Sequence, residues 1–301
     1  MNIPGQPIIE FRDVSIKLGG RQILEKLTFT VERGEVFVII GYSGTGKSVT
    51  LANLTGLLTP DEGSIKVAGR QIVGMDEGEL EQARRSFGFL FQSGALINWL
   101  TVAENVELPL REHTSFGVKR RKEIVAEKLK LVSMENDGGK YPGEISGGMK
   151  KRAALARAIA LDPEIVLFDE PTSGLDPVIA HQIDELIIDL NKKLGITCVV
   201  VTHDMDSAYT IADRIGFFYK GRMHSVGKPA EVRDASDEAL RHFVTGGREG
   251  MLSKRSLTAI LRSEPLAGTS TEHGMESGRS TTVVLEETAK SPGDSQQEKS
   301  A

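Results

Sequence analysis

Three uninterrupted apolar runs punctuate the chain, Val36 to Ile40, Ile165 to Phe168 and Thr197 to Val201, each followed by turn residues and a stretch of helical spacing. A run without polar alternation suits a strand buried on both faces, and its repetition with helices predicts parallel strands joined by crossover connections. Residues 8 to 33 alternate around Gly19-Gly20 and predict antiparallel strands, a β subdomain ahead of the parallel core. From Glu79 to about Ala160 the spacing turns mostly helical and charged, as in Arg120 to Leu131, where Ile124, Val125, Leu129 and Leu131 alternate with Lys and Glu. This predicts a helical insertion between two core strands. The expected class is α/β, with a mixed, mainly parallel sheet.

The C-terminal part differs in kind. Residues 238 to 262 hold two short helical patterns around Gly246-Gly247, and the second sets Leu252, Leu257, Ile260 and Leu261 beside Lys254, Arg255 and Arg262. Such a helix suits a membrane surface, a partner chain or its own domain. In residues 263 to 301, Gly, Pro, Ser and Thr supply 18 of 39 positions, with 7 acidic residues against 3 basic. A tail so poor in apolar residues is expected to be disordered, with Val283-Val284-Leu285 its one adhesive patch. The expected division is a domain over 1–245, with a helical subdomain at about 79–160, then a helical extension over 246–262 and the acidic tail.

Composition removes several classes. The 301 residues are 26% charged and 39% hydrophobic with net charge −5, an ordinary globular balance without the basic surplus of a dedicated nucleic-acid binder. Cys198 is the single cysteine, which excludes an internal disulfide and a CxxC metal site, and its place in an apolar run marks it as a small core residue. The N-terminus shows no secretory pattern, and no apolar run approaches the ~20 residues that cross a bilayer. If the cargo is membranous, another chain is expected to cross.

Gly41-Tyr42-Ser43-Gly44-Thr45-Gly46-Lys47-Ser48 fits G-x-x-x-x-G-K-[ST], between a strand and the helical stretch that begins at Val49. There the glycines turn backbone N–H groups onto phosphate oxygens, Lys47 reaches the outer phosphates and the Ser48 hydroxyl is placed for Mg²⁺. Ile165 to Phe168 ends in Asp169 and Glu170, two carboxylates at the edge of the sheet where open α/β folds bind ligands. Asp169 is the metal-side group and Glu170 the carboxylate that orients and polarises the attacking water. The third run delivers His203 to the same edge, either as a γ-phosphate sensor or as a solvated histidine ahead of Asp204. Ser146-Gly147-Gly148, opening a helix ahead of the helical Ala153 to Ala158, makes a second helix start suited to an anion. One nucleotide cannot fill both starts within a monomer if the helical insertion holds them apart.

With these motifs in order, residues 8 to 245 resemble the ATP-binding cassette (ABC) ATPases. Ser146-Gly147-Gly148 is similar to their signature, Ser173-Gly174-Leu175-Asp176 to the D-loop, Gln92 to the Q-loop and His203 to the switch histidine. The resemblance implies ATP and Mg²⁺ as cofactors and a head-to-tail homodimer. Each nucleotide then lies between Gly41, Ser43, Gly44, Thr45, Gly46, Lys47, Ser48 and Val49 of one chain and Ser146, Gly147, Gly148 and Asp176 of the other. It implies Glu170, His203 and Gln92 as catalytic residues, with Ser48, Gln92 and Asp169 at the metal. Two residues depart from the family: Met149 replaces a usual Gln, and Leu18 replaces an aromatic residue against adenine, so strict preference for ATP over GTP is not implied.

Ile145 to Ala153, Leu90 to Leu96, Thr101 to Val106 and Pro109 to Thr114 resemble the cassettes that energise MCE/Mla-type lipid transporters. That branch implies a peripheral position on the cytoplasmic face of the inner membrane, under an integral permease of the MlaE kind. It also implies an MCE-domain lipid-binding protein of the MlaD kind and a small STAS-type accessory subunit of the MlaB kind, and no nucleic acid. Leu96, Ile97, Trp99 and Leu100 followed by Arg111, Glu112 and His113 suit a groove for an amphipathic helix. Trp99 fits equally a half-buried core aromatic, and Lys150, Lys151 and Arg152 suit a solvated helix face better than phosphate ligands. The competing readings are a cassette for amino acids, ions or drugs, a soluble cassette acting on DNA or ribosomes, and a binding-only regulatory cassette.

Overall fold

The computed structural model of the protein describes residues 7–245. The expected extension over 246–262 and the acidic tail lie outside the described residues.

Strands β1 (Pro7–Leu18) and β2 (Arg21–Glu32) form the hairpin around Gly19-Gly20, both in the left-handed region that a tight turn demands. With β4 (Glu62–Val67) and β5 (Arg70–Gln71) they make an antiparallel sheet of order β2-β1-β4-β5. The second sheet runs β10-β9-β3-β8-β7-β6. Its members are β3 (Val36–Ile40), β6 (Phe87–Leu90), β7 (Ile165–Asp169), β8 (Thr197–Val201), β9 (Arg214–Tyr219) and β10 (Arg222–Gly227). All neighbours are parallel except β10, which turns back along β9.

The three apolar runs are thus β3, β8 and most of β7, and period-two alternation divides their side chains between two cores. Phe37, Ile39, Leu167, Val199 and Val201 face the antiparallel sheet and α1 (Lys47–Leu54), with Phe11, Phe29 and Phe37 stacked in series at 4.6 and 5.7 Å. Val38, Ile40, Val166, Phe168, Cys198 and Val200 face the helices. Those helices are α3 (Val102–His113), α4 (Val118–Leu131), α5 (Gly147–Ala158), α6 (Pro177–Leu194) and α7 (Met205–Ile211). Cys198 is fully buried, as expected of a core residue.

The stretch from Glu79 to about Ala160 is not helical throughout. After α2 (Glu77–Arg84) comes β6, the edge strand of the parallel sheet, paired with β7 from Phe87–Ile165 to Leu90–Phe168. Gly88 has no room for a side chain, since a Cβ there would lie 2.3 Å from the Ala158 carbonyl oxygen. The insertion proper is α3 to α5, with a 3₁₀ turn at Pro142–Glu144 leading into α5. Short helices α8 (Pro229–Arg233) and α9 (Glu238–Val244) follow the sheet.

Candidate nucleotide site

The strand order sets β3, β8, β7 and β6 side by side and parallel, so four carboxyl ends open on one edge. β3 delivers the phosphate loop, β8 delivers Thr202 and His203, β7 ends in Asp169 with Glu170 after it, and β6 leads to Gln92. A cavity of about 360 Å³ lies there, lined by Ser43, Gly44, Gly46, Lys47, Ser48, Val49, Gln92, Asp169, Glu170 and His203, with Ile23 and Val201.

Glycine is obligatory at two points of the loop. At Gly41 a Cβ would lie 2.4 Å from the Phe218 carbonyl oxygen, and Gly46, the left-handed cap of α1 at φ 112°, lies against Leu24 and Ile23. The Lys47 ammonium is buried and donates to the carbonyls of Gly41 at 2.8 Å and Tyr42 at 3.0 Å. Burial pulls its pKa down while the Glu170 and Asp169 carboxylates oppose that shift. The Ser48 hydroxyl donates to Asp169 Oδ1 at 3.4 Å. Burial, and then the charge of Glu170, push the Asp169 carboxyl above its usual range. A concave backbone cradle, a buried ammonium and a hydroxyl beside a desolvated carboxylate are the donor set that a nucleotide phosphate with a hard divalent cation requires.

Glu170 sits at φ 51°, a left-handed conformation that disfavours side chains, and its N–H donates to the Val201 carbonyl at 2.9 Å. Its Oε2 lies 2.9 Å from His203 Nδ1 and accepts from the Thr202 hydroxyl at 3.4 Å. The Gln92 amide donates to the Ser173 hydroxyl at 3.3 Å.

Lys151 overturns the solvated-face expectation. It is 5% exposed and its ammonium donates to the carbonyl of Gln92 and, at 3.1 Å, to that of Glu170. One buried cation thereby ties the loop at Gln92 to the loop at Glu170. Gly148, Lys151, Ala154 and Leu155 are all buried, so the three- and four-residue spacing already marked Lys151 as inward. Arg152 donates to the Val132 carbonyl and to Gln182. The loop after Gln92 is held by Arg157, donating to the carbonyls of Gly94 and Ala95. Fully buried Asn105 accepts from the Ile97 N–H and donates to the carbonyls of Ile97, Leu100 and Thr101. Trp99 is 79% exposed rather than half-buried.

Other expected ligands lie elsewhere. Leu18, 39% exposed at the end of β1, does not line the cavity, whereas Ile23 of β2 does. The Thr45 hydroxyl folds back to the Tyr42 carbonyl at 2.8 Å. Ser146 caps α5 by accepting the Met149 N–H, and Asp176 caps α6 by accepting those of Val178 and Ile179. A Cβ on Gly148 would meet Ile179 at 2.5 Å, so this glycine permits α5 and α6 to approach. Ser146, Gly147, Gly148 and Asp176 do not line the cavity.

This sheet edge, with its phosphate loop, paired carboxylates and histidine, defines a phosphate-loop nucleotide hydrolase. The model of the ABC transporter family matches residues 24–173. The chain is 45% identical over 243 residues to the probable ribonucleotide transport ATP-binding protein mkl of Mycobacterium tuberculosis, covering 80% of this chain and 67% of that one. It is 39% identical over 243 residues to the intermembrane phospholipid transport system ATP-binding protein MlaF of Escherichia coli, covering 81% and 90%. Among solved structures it resembles the dimeric ATP-binding cassette MJ0796 in a post-hydrolysis state bound to ADP and Pi, with TM-score 0.67, 34% identity and coverage of 73% and 98%. A cassette of the cbiONQ transporter complex from Clostridium perfringens matches with TM-score 0.72, 27% identity and coverage of 82% and 99%. The chain belongs to the ABC transporter family, as its ATP-binding, ATP-hydrolysing subunit.

Proposed function

We propose that this ATPase energises a lipid transporter of the MCE/Mla type, as a homodimer bound at the cytoplasmic face of the membrane. The observation that carries the reading is the identity to MlaF, which spans 90% of that protein and so reaches far beyond the nucleotide motifs. A cavity of about 520 Å³, walled by Arg84, Arg85, Pro109, His113 and Arg157 among others, includes Phe91, the residue before Gln92, and supports the reading of this face as the permease groove. No helix among the described residues is long and apolar enough to cross a membrane.

When bound, MgATP supplies the γ-phosphoryl group that water attacks. Ser48 and Asp169, with Gln92 nearby, would hold the cation, and Lys47, with two of its three N–H bonds on the Gly41 and Tyr42 carbonyls, would offer the third to the phosphates. Glu170 orients the water and takes its proton at the carboxylate, held meanwhile by His203 and Thr202. Ser146 and Gly147 of a second chain complete the site, so closure and opening of the dimer follow the nucleotide.

A second reading, a cassette for another cargo, rests on the mycobacterial relative described as a ribonucleotide transport protein. Affinity purification of the tagged chain from mildly solubilised membranes of its own host, with mass spectrometry of proteins and lipids, separates the two. A permease with an MCE-domain protein and bound lipid is the expected result. A nucleotide or other metabolite permease without lipid would overturn the lipid assignment and leave the ATPase standing.

A further inference from the structure

Tyr42 stands inside the phosphate loop yet does not line the nucleotide cavity. Its carbonyl is where the loop gathers itself, accepting from the Lys47 ammonium at 3.0 Å and from the Thr45 hydroxyl at 2.8 Å. Together with the Gly41 carbonyl at 2.8 Å, this peptide unit therefore fixes the position of the ammonium that awaits the phosphates.

The Tyr42 side chain is held by the last helix of the described fold. Its hydroxyl meets His242 Nδ1 at 2.8 Å, and its ring meets that of Phe243 edge to face, at 5.0 Å and 80°. A tyrosine has two side-chain torsions, so gripping both its ring and its hydroxyl constrains the backbone behind it. Helix α9 is itself bolted to the sheet. Asp237 caps it through the Leu240 N–H and binds His224 Nε2 of β10 at 3.0 Å, Leu240 is buried, and the Phe243 ring lies 5.4 Å from that of Phe217 in β9. Stiff, paired groups thus run from β10 through α9 and Tyr42 to Lys47.

We propose that His242 and Phe243 of α9 are positioning residues for the phosphate loop, holding Tyr42 so that Lys47 is pre-set for the nucleotide. Neither residue lines the cavity, and both act through Tyr42. The proposal deepens the ATP site and is independent of the cargo assigned above. It also makes α9, from which the chain continues beyond Thr245, an element whose displacement is read at Lys47.

The test uses the full chain, with ADP and Mg²⁺ as the calorimetric probe and hydrogen exchange of residues 41–48 measured without nucleotide. His242→Ala and Tyr42→Phe each remove one side of the same hydrogen bond. Each is expected to weaken ADP binding about five-fold, the equivalent of about 1 kcal/mol, and to speed exchange in the loop with an unchanged melting temperature. The double variant is expected to lose no more than either single one, and His242→Gln, which retains a hydrogen-bonding group, to recover part of the loss. Additive losses, unchanged affinity in the conservative Tyr42→Phe variant, or faster exchange spread over the whole chain would each overturn the proposal. Failure of the wild-type chain to bind ADP would instead overturn the nucleotide site itself.

Discussion

Glu170 and Lys151 are two charges joined through one backbone carbonyl, and they divide the work of the site. Glu170 presents its carboxylate from a left-handed backbone held by Val201, a strained conformation maintained where chemistry needs a fixed direction. Lys151 contributes no reacting atom, but its buried ammonium satisfies the carbonyls of Gln92 and Glu170 together. The two substitutions should therefore fail in opposite ways. Glu170→Gln keeps shape and packing, so turnover is expected to fall by about 10²- to 10⁴-fold at unchanged ADP affinity and melting temperature. Lys151→Met leaves the Gln92 carbonyl without this donor and the Glu170 carbonyl with only the Ser173 N–H, and a stability loss of about 1 kcal/mol is expected in denaturant titration, with reduced turnover because Gln92 and Glu170 lose their common tether. Near-wild-type turnover in the first variant would remove Glu170 from the base role, and an unchanged denaturation midpoint in the second would make Lys151 dispensable. The motifs displayed Glu170 in the sequence because its neighbours are diagnostic. Lys151 hid among Lys150 and Arg152, where a cationic run reads as a wet surface and only helical phase separates the inward residue from the outward ones.

Between elements, the same kind of buried polar link joins α6 to α7. Asp184 of α6, 3% exposed, accepts from the Ser207 hydroxyl of α7 at 2.8 Å, and that hydroxyl lies 3.4 Å from Thr172 in the loop after Glu170. Its Oδ1 has no partner, and burial pushes its pKa up to about 6, with Asp204 reinforcing the shift while Ser207 and His181 oppose it. Because the folded form holds this proton more tightly than the unfolded chain, stability is expected to fall as pH rises from about 4 to about 6 and to stay lower above. Asp184→Asn cannot ionise, so its melting temperature should lose this share of the fall over that window and exceed that of the wild type at pH 7. Parallel pH profiles for the two proteins would show that Asp184 does not titrate there. No sequence pattern announces this link, because Ser207 and Asp184 meet only once α6 and α7 pack. The edge strand β6 escaped for a related reason. Phe87-Gly88-Phe89-Leu90 is short, interrupted by glycine and flanked by charged helical stretches, and its identity as a strand comes from pairing with β7. The uninterrupted runs of β3, β7 and β8 needed no such context, since burial on both faces is written in their composition.

At the scale of the molecule, the sequence marks two helix starts as suited to anions, and among the described residues the one at Lys47 lines the cavity while the one at Ser146 does not. Lys47 and Ser48 open α1 inside it, whereas Ser146 and Gly147 open α5 outside it, exposed. A second copy placed head to tail would use both, and the similar cassette MJ0796 is dimeric. The arrangement makes a prediction that no single-chain site can meet. Lys47→Ala removes the ammonium from one half of the composite site. Gly147→Asp puts a carboxylate into the other half at a position where a Cβ has ordinary contact with Leu175 at 3.4 Å, so the fold should survive while an anion is repelled. Each variant alone is expected to be inactive. Mixed in equal amounts and allowed to exchange subunits, half of the dimers would contain one of each, with one intact site of two, so turnover should recover to about a quarter of the wild-type value if the sites act independently. An inactive mixture, with subunit exchange verified by differently tagged chains, would mean that the two sites fire only together or that both helix starts serve one chain. Mixing Glu170→Gln with wild-type chains distinguishes these, because turnover falling with the square of the wild-type fraction requires both sites, and a linear fall requires only one.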